Sequence, residues 1–509
     1  MGHEEALALV RQRLAERERD FLWLLREAVY GQPSHPVRRL LERAGCAFGD
    51  VEQMVRLDGV EGALRTLYRA GVYLTADEVA GRCPVVRGSD TFRIRLVDLR
   101  NPWAVGHLVG SSGGSRSGIP GAMALDVDAL LDQLPAYRLS LEAAGGADWV
   151  EAIWAPPGST GIAFSLRRTV GFGRPPERWF SPVAMHDSGL PSAYRWTMRA
   201  VRLAGLLAGV RLPLPEHVSP VDPIPVIGWL DAVRRRGRTP ILTLYPTTAA
   251  RLCDAAQRAG IDLRGVRLLL RGEPVTPARV AAVRRGGAEV LSLYGAIECG
   301  VVGHGCLQPA AVDEVHLHDD LHAIVQPGTD DASAALPADA LLLTTLRRSA
   351  RLILLNVSLG DSATMARRLC GCPLESYGWR THLWGIHSFE KLTGMGMTFA
   401  DAEVTPVLEQ LLPARFGGNP TDYQLIEEEA GDGGVRLRLV VDPRLGRLDE
   451  AALVDVFLDA LARVSPTRRM MTLAWRAAGI VRVDRRAPLA TPSGKIMHFR
   501  RADVAQSRT

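Results

Sequence analysis

Strand-like and helix-like patterns alternate regularly in the middle of the chain, and this alternation limits the folds that the sequence can adopt. Short apolar runs occupy residues 240–245, 266–270 and 289–293, and segments with helical spacing occupy residues 248–259 and 276–285. Strands and helices that alternate over such short distances predict a parallel sheet covered by helices. The predicted fold class is therefore α/β.

The length of 509 residues exceeds what a single hydrophobic core normally supports, so more than one domain is expected. Residues 1–75 have helical patterns, whereas residues 366–385 have no clear period. A smaller α+β pattern follows and includes a late strand predicted at residues 472–477. We therefore predict a large N-terminal domain at residues 1–385 and a small, mobile α+β lid at residues 386–509.

Composition excludes several functional classes. The sequence has no apolar run of about 18 residues and no basic N-terminal segment followed by an apolar stretch, so neither a membrane span nor a secretory signal is predicted. The seven irregularly spaced cysteines favour a reducing, cytoplasmic compartment. The net charge of +5 comes from scattered basic residues, which predicts no nucleic-acid partner.

Lysine is rare in this chain. Of the 61 lysines and arginines, only Lys391 and Lys495 are lysines. A coding bias would replace lysine by arginine wherever either residue serves, but a compact ammonium on a thin stem is not equivalent to a planar guanidinium. The two remaining lysines are therefore candidates for functional positions.

A glycine- and serine-rich segment, residues 109–118, follows a short apolar strand. Its glycines allow several backbone N–H groups to point inward, and its hydroxyl groups add further donors. Arg116 supplies a positive charge that suits phosphate oxygens. The segment is either a phosphate-binding loop or a flexible linker, since the same composition is typical of both.

Two further motifs follow predicted strands. In the loop after residue 293, Tyr294 can stack on a purine, and the carboxylate of Glu298 can hold a magnesium ion that bridges phosphates. Ligands of parallel sheets bind beyond the carboxyl ends of strands, which is where Tyr294-Gly295 lies. Asp361, in a Gly-Asp turn, can accept both ribose hydroxyls, although such turns are common.

The last motif is a turn-rich segment, residues 490–495, that ends in Lys495. A lysine on a mobile loop could reach the α-phosphate and the oxygen of an acid as charge develops between them. The alternative is an ordinary surface turn.

The order of these four motifs resembles the class I adenylate-forming superfamily, which contains acyl-CoA ligases and peptide-synthetase adenylation domains. The resemblance extends from about residue 20 to residue 500, and four weak motifs in one order are jointly specific. The phenylacetate-CoA ligase-like branch is the most similar, because its phosphate loop begins Ser-Ser-Gly, as Ser111-Ser112-Gly113 does here.

The resemblance implies a role for each motif residue. Tyr294-Gly295 would flank the adenine, as would the backbone of the turn at Glu273; Glu298 would bind magnesium, and Asp361 the ribose. Lys495 would act in adenylation, and Lys391 near the hinge would serve a second conformation. The residues that would cradle the ATP phosphates are Ser111, Ser112, Gly113, Ser115 and Arg116.

The sequence departs from the family at several nucleotide or hinge positions. Relatives usually have a lysine where this chain has Arg116-Ser117, and a threonine where it has Ile297. A Gly-Arg before the hinge becomes Gly385-Ile386, and an Arg-Tyr pair before Asp361 becomes Asn356-Val357. We therefore expect an intact nucleotide site, with an unusual acid or second half-reaction.

Four residues are candidates for a structural zinc site: Cys306, His316, Cys370 and Cys372. Some relatives in this branch hold zinc with a comparable set, and three thiolates with one imidazole complete a tetrahedron. Free buried cysteines remain the alternative.

The resemblance places His186-Asp187 where relatives line the acid-binding cavity, and Trp154 and Tyr245 are further candidates for this pocket. A lone histidine is, however, often structural.

The function that this resemblance implies is ATP- and magnesium-dependent activation of an aryl or acyl acid as its AMP ester, in secondary metabolism. Coenzyme A or a carrier protein would be the acceptor. Two alternatives remain open: a diazotase-like enzyme that activates nitrite for transfer to an aromatic amine, and a degenerate nucleotide-binding protein without catalysis. The expected partners are small molecules, with neither nucleic acid nor membrane.

Overall fold

The structure is a computed structural model. It describes residues 1–104, 108–111, 122–125, 127–155, 159–182, 184, 192–220, 222–332, 336–389, 392–394, 397–399, 401–429, 435–463, 472, 475–476, 479–491 and 494–501. Among these residues, no helix is both long enough and apolar enough to span a lipid bilayer.

The helices are numbered in chain order. They are α1 (His3–Leu24), α2 (Pro36–Arg43), α3 (Phe48–Arg69), α4 (Ala76–Val79), α5 (Val127–Asp132), α6 (Leu134–Ala143), α7 (Ser159–Phe172), α8 (Ser192–Leu207), α9 (Ile224–Arg235), α10 (Pro246–Arg258), α11 (Pro277–Arg285), α12 (Pro373–Ser376), α13 (Asp401–Pro406), α14 (Leu412–Phe416) and α15 (Glu450–Ala462). One π-helical segment, Leu25–Tyr30, continues α1, and another, Val407–Leu411, joins α13 to α14.

The strands are numbered in the same way. They are β1 (Val85–Arg87), β2 (Asp90–Phe92), β3 (Leu108–Ser111), β4 (Ala122–Leu125), β5 (Val150–Trp154), β6 (Arg178–Ser181), β7 (Pro215–His217), β8 (Pro240–Leu244), β9 (Arg267–Arg271), β10 (Glu289–Ala296), β11 (Gly300–Gly305), β12 (Val315–Leu317), β13 (His322–Val325), β14 (Ala340–Thr345), β15 (Val357–Arg367), β16 (Thr381–Ser388), β17 (Leu392–Gly394), β18 (Met397–Phe399), β19 (Tyr423–Glu429), β20 (Val435–Val441), β21 (Val481–Asp484) and β22 (Phe499–Arg501).

One large sheet organises the N-terminal part of the chain, in the order β13-β14-β15-β16-β12-β11-β10-β9-β8-β5-β6-β7. Strands β7, β6, β5, β8, β9 and β10 pair in parallel, and from β10 to β13 every pairing is antiparallel. The predicted strands at 240–245, 266–270 and 289–293 are β8, β9 and β10. The predicted α/β fold class is confirmed.

The two halves of this sheet have separate cores. The parallel half packs against α9 and α10 through a fully buried cluster that includes Leu242, Leu268 and Leu252. The antiparallel half packs against the N-terminal helices, where Leu64 and Val357 are both fully buried. The helical prediction for the first 75 residues is therefore correct, and these helices cover a sheet formed nearly three hundred residues later.

A smaller four-stranded sheet, in the order β21-β20-β19-β22, forms the C-terminal domain with α13 to α15. Its core contains Tyr423, Leu439 and Phe457, all fully buried. The domain boundary at 385/386 remains a prediction; β16, the last strand of the large sheet, ends at Ser388.

The strand predicted at residues 472–477 is wrong. The described residues of this segment, Thr472, Trp475 and Arg476, are helical, and the strand that joins the sheet here is β21, a few residues later. Thr472 and Trp475 are each 2% exposed. Because residues three apart share one face of a helix, both can be buried on the same side, which alternation along a strand does not allow.

Candidate active site

Three parallel strands end at one edge of the large sheet and bring their following loops together. Tyr245 follows β8, Gly272 follows β9, and Tyr294 lies near the end of β10. β8 pairs with β9 and β9 with β10, so the three positions are neighbours. The register between β10 and β11 shifts between Tyr294 and Gly295, where the chain turns away from the strand.

Lys495 of the small domain reaches this edge of the large sheet. Its Nζ donates a hydrogen bond to the carbonyl oxygen of Gly272 at 2.7 Å and lies 4.8 Å from the centroid of the Tyr245 ring. A cation over an aromatic face at this distance is attracted by the ring. The predicted adenylation lysine therefore belongs to one domain and is held by contacts with the other.

Position 272 requires a glycine because of both its backbone conformation and its neighbouring side chains. Its φ of +73° lies in the left-handed region, and a Cβ added there would lie 3.1 Å from Cε1 of Tyr245 and 3.4 Å from Nζ of Lys495. A side chain at this position would therefore be strained, would press on the Tyr245 ring and would come into van der Waals contact with the lysine.

Tyr294 and Asp361, the predicted adenine and ribose residues, are in direct contact. The Tyr294 hydroxyl donates a hydrogen bond to Oδ2 of Asp361 at 3.0 Å. Asp361 lies on β15, so the pair connects two strands that are not neighbours in the sheet. The expected loop after residue 293 and the expected Gly-Asp turn are wrong, because Tyr294 lies within β10 and Asp361 within β15.

Glu298, the predicted magnesium ligand, lines a cavity of about 110 Å³ between β10 and the segment that precedes β15. Among the described residues, no lysine, arginine or histidine forms an ion pair with it, whereas Asp132, the other carboxylate of the cavity, lies 2.6 Å from Arg13. Arg351 also lines the cavity and donates to the carbonyl oxygen of Ile297 at 2.7 Å. The Glu298 carboxylate, as an oxygen donor, fits the ligand preference of magnesium.

A buried ion pair joins the two domains close to this site. Nε of Arg279, on α11, lies 2.8 Å from Oε1 of Glu409 in the small domain, and both side chains are at most 1% exposed. Burial alone would raise the pKa of Glu409, but Arg279, His498 and Thr276 stabilise the carboxylate, so its pKa is lowered. A paired buried charge is tolerated, whereas an unpaired one costs several kcal/mol.

This ion pair belongs to a larger network that we call the interdomain latch: Glu273, Thr276, Arg279, Glu409 and His498. The Thr276 hydroxyl donates to Glu409, and His498 contacts both Arg279 and Glu409. Oε2 of Glu273 lies 3.2 Å from Arg279 and accepts the Thr247 N–H at 3.0 Å.

The side chain of Glu273, predicted for the adenine turn, therefore also supports the interdomain contact. Sequence reasoning missed Arg279, Glu409 and His498. No local pattern reveals them, because Arg279 and His498 are 219 positions apart and His498 and Glu409 are 89 positions apart.

Cys306, His316, Cys370 and Cys372 form one cluster whose candidate ligand atoms all lie within 4.8 Å of one another. Nε2 of His316 is 3.2 Å from Sγ of Cys372 and 3.6 Å from Sγ of Cys370. Nδ1 of His316 donates to the carbonyl oxygen of Trp379 at 2.7 Å, which leaves Nε2 as the free ligand atom. Three thiols and one oriented imidazole fit tetrahedral zinc.

Two positions at which the sequence departs from the family have structural partners. Asn356 is fully buried, has a φ of 50°, and donates through its side chain to the carbonyl oxygens of Leu64 and Val72 at 2.8 and 3.1 Å. The Ile386 N–H donates to Asp313 at 2.6 Å. Asn356 therefore ties the N-terminal helices to β15.

Several predicted site residues lie outside the described residues: Ser112, Gly113, Ser115, Arg116, His186, Asp187 and Lys391. Ser111 is the last residue of β3. Trp154, predicted for the acid pocket, ends β5 and is 2% exposed in the cluster that covers the parallel half of the sheet. The role of each remains a prediction.

No protein-family model matches this sequence, and no curated protein matches it. Among solved structures, the chain is similar to 2-hydroxyisobutyryl-CoA ligase in the postadenylation state, in complex with R3-HIB-AMP, with 14% identity and a TM-score of 0.57 over 97% of this chain and 90% of that one. The fold of the chain is thus the fold of that ligase.

Two further solved structures have lower similarity. The anthranilate CoA ligase AuaEII in complex with anthranoyl-AMP has 12% identity and a TM-score of 0.41, covering 76% of this chain and 65% of that one. The McyG A-PCP complexed with phenylalanyl-adenylate has 12% identity and a TM-score of 0.43, covering 88% of this chain and 63% of that one.

We expect Glu409→Gln to weaken docking of the small domain by about 3 kcal/mol, because it removes the only charged partner that the small domain gives to the buried Arg279 guanidinium among the described residues and leaves Glu273 as its remaining counter-charge. Small-angle X-ray scattering should show a larger radius of gyration at neutral pH, with Glu52→Gln, at an exposed position of α3, as the control.

The effect of Glu409→Gln should also depend on pH. Since the folded-state pKa of Glu409 lies below its ordinary 4.5, its contribution is present above that value and is lost as the pH falls through the folded pKa. The difference in radius of gyration between wild type and variant should therefore become smaller at acidic pH. An equal radius at neutral pH would contradict the proposed role of the pair.

We expect Gly272→Ala to displace the Lys495 ammonium, since the new methyl group would meet both Tyr245 and Lys495. The chain has only two lysines, so acetylation of Lys495 can be followed by peptide mass spectrometry, and it should be faster in the variant.

Gly260→Ala is the matched control for this measurement. Gly260 has a similar φ of +69° but nothing within 4 Å of an added Cβ, so its variant has the same backbone strain of about 1 kcal/mol without the contact. Equal acetylation rates in both variants would show that Gly272 does not position the lysine.

Proposed function

We propose that the chain is an ATP-dependent adenylate-forming enzyme of the class I superfamily, similar to its phenylacetate-CoA ligase-like branch. The observation that carries this proposal is the position of Lys495, whose ammonium from the small domain is held over the carboxyl edge of the parallel strands. Tyr294 and Asp361 lie in contact, although their strands are not neighbours in the sheet. A lysine that a second domain brings to the strand ends is the arrangement that adenylation requires.

In the proposed reaction, a carboxylate oxygen of the acid attacks the α-phosphorus of ATP. A P–O bond to the acid forms, the bond to the β,γ-diphosphate breaks, and pyrophosphate leaves. Negative charge develops on the oxygens around the α-phosphorus, and the Lys495 ammonium stabilises it. The product is an acyl adenylate.

Each remaining role follows from the chemistry of the side chain. Tyr294 would stack against the adenine, and Asp361 would accept hydrogen bonds from the ribose. Glu298 would hold magnesium, which supplies charge neutralisation for the leaving pyrophosphate. The phosphate-binding role of the Ser111 to Arg116 segment belongs to the same proposal.

The second half-reaction would transfer the acyl group of an aryl or acyl acid to coenzyme A or a carrier protein. For this, the small domain would rotate and Lys495 would leave Gly272, which requires the Arg279–Glu409 ion pair to separate. The hinge would lie near Lys391. Such domain motions often limit the turnover of enzymes that close over their substrates.

We further propose that Cys306, His316, Cys370 and Cys372 hold a structural zinc ion. Protein purified with zinc in the medium should contain about one zinc per chain when measured by plasma mass spectrometry. Cys372→Ser should lower this content strongly, whereas Cys83→Ser, at a free cysteine outside the cluster, should not. A wild-type protein without zinc would refute the assignment.

The test of the main proposal is AMP and pyrophosphate release from ATP and magnesium across aryl acids, fatty acids and amino acids, with nitrite and aromatic amines in a separate arm. We expect one carboxylic acid class to stimulate release. Dependence on nitrite would replace this proposal by diazotase-like chemistry. If no substrate stimulates release while ATP still binds, a nucleotide-binding protein without catalysis is favoured.

We expect Lys495→Ala to lower kcat for AMP release about 100- to 1000-fold, with little change in the KM for ATP, because the ammonium acts mainly in the transition state. Arg56→Ala, at an exposed position of α3, is the control. Unaltered AMP formation in Lys495→Ala would show that another group stabilises the charge.

A further inference from the structure

A buried arginine without a counter-charge lies directly beside the proposed reaction site. Arg271 is the last residue of β9, precedes Gly272 and is 9% exposed. Nε and Nη2 of its guanidinium have no hydrogen-bond partner, and among the described residues it forms no ion pair. Arginine is almost never buried unless it is paired.

The walls around this guanidinium are aromatic. The Arg271 Cζ atom lies 4.8 Å from the centroid of the Phe164 ring, on α7, and 5.2 Å from that of Tyr245. These rings attract the cation through their faces, and the Tyr245 hydroxyl interacts with it as well, but neither side chain carries the negative charge that would balance the guanidinium, and its Nε and Nη2 have no hydrogen-bond partner. Burial lowers the pKa of Arg271, which shows how poorly the surroundings replace water.

A second buried arginine approaches the same ring. Arg167, on α7, is 7% exposed, and its Cζ lies 5.4 Å from the Phe164 centroid. It donates to the side chain of Gln133, but its Nε has no partner, and among the described residues it forms no ion pair, although it lines the same cavity as Glu298 and Asp132. Burial lowers its pKa to about 10, and Arg271 acts in the same direction.

Two buried guanidinium groups that repel each other destabilise a folded chain unless an anion joins them. Both contact Phe164, so their Cζ atoms are at most about 10 Å apart. Charge-assisted hydrogen bonds from arginine to a carboxylate are short and can be bidentate. The arrangement therefore has the chemistry of a subsite for an oxyanion.

The distance to Lys495 limits the size of the ligand. Nζ of Lys495 and Cζ of Arg271 lie 4.8 and 5.2 Å from the Tyr245 centroid, so they are at most about 10 Å apart. Hydrogen bonds of about 2.9 Å at each end leave at most roughly 4 Å between the two acceptor oxygens. One small molecule with two acid groups spans this gap.

We propose that Arg271, assisted by Arg167, binds a second carboxylate of the acid substrate, so that the enzyme activates one carboxyl group of a small dicarboxylic acid. This inference rests on the proposed adenylation at Lys495. A plain fatty acid or an unsubstituted aryl acid would leave both guanidinium groups buried and unpaired, which selects against such substrates.

The experiment compares matched acid pairs in the AMP-release assay: succinate with butyrate, and phthalate with benzoate. For the wild type we expect kcat/KM for the better diacid to exceed that of its monoacid at least 100-fold. Arg271→Met should reduce this ratio at least 30-fold, chiefly through a higher KM for the diacid, and Arg271→Lys should restore part of it. Arg285→Leu, exposed at the end of α11, is the matched control and should keep the wild-type ratio.

The outcomes separate this inference from the proposed function. If monoacids and diacids are equally good wild-type substrates, or if Arg271→Met keeps the wild-type ratio, the subsite is refuted while adenylation stands. If no carboxylic acid stimulates AMP release, or if nitrite alone does, the proposed function fails first. If Arg271→Met does not fold, the wild-type ratio of kcat/KM for the diacid to kcat/KM for the monoacid tests the subsite by itself.

Discussion

The buried ion pair between Arg279 and Glu409 is the interaction on which the arrangement of the candidate site depends. It joins the two domains with both side chains almost fully excluded from solvent. While it is formed, the small domain holds Lys495 on the Gly272 carbonyl. When the domains separate, water hydrates both charges and offsets the loss of the ion pair. The contact can therefore be strong in the docked state and still be reversible. That combination suits a lysine needed in only one half of a reaction cycle.

The parallel half of the large sheet supplies the other constraint. Because β8, β9 and β10 run in the same direction, Tyr245, Gly272 and Tyr294 meet at one edge although about 25 residues separate each from the next. The same geometry places Arg271 there, at the end of an apolar strand. A buried guanidinium without a counter-charge lowers the stability of the folded chain. Locally destabilising residues of this kind are typical of ligand-binding sites.

Sequence reasoning predicted the parts of the fold that have strong periodicity. The three strands and two helices between residues 240 and 293 occur as expected, because their burial pattern repeats over short distances. The segment at residues 472–477 was mispredicted because a short apolar run is compatible with both the two-residue period of a strand and the 3.6-residue period of a helix. Only the burial of both Thr472 and Trp475 favours the helix. Of the candidate site, Tyr294, Asp361 and Lys495 were available from motifs, whereas Arg279, Glu409 and His498 were not.

By itself, the sequence indicated the candidate residues: a rare lysine, an aromatic residue near a strand end, an aspartate that follows a glycine, and a set of cysteines with one histidine. Tertiary structure alone decided which of them touch. Lys495 meets Gly272 across 223 positions, and His316 orients its ring toward Cys370 and Cys372 through the Trp379 carbonyl. Local patterns report burial and backbone period, but they contain no information about which distant partner neutralises a buried charge. That pairing is set only when the sheets and the small domain pack.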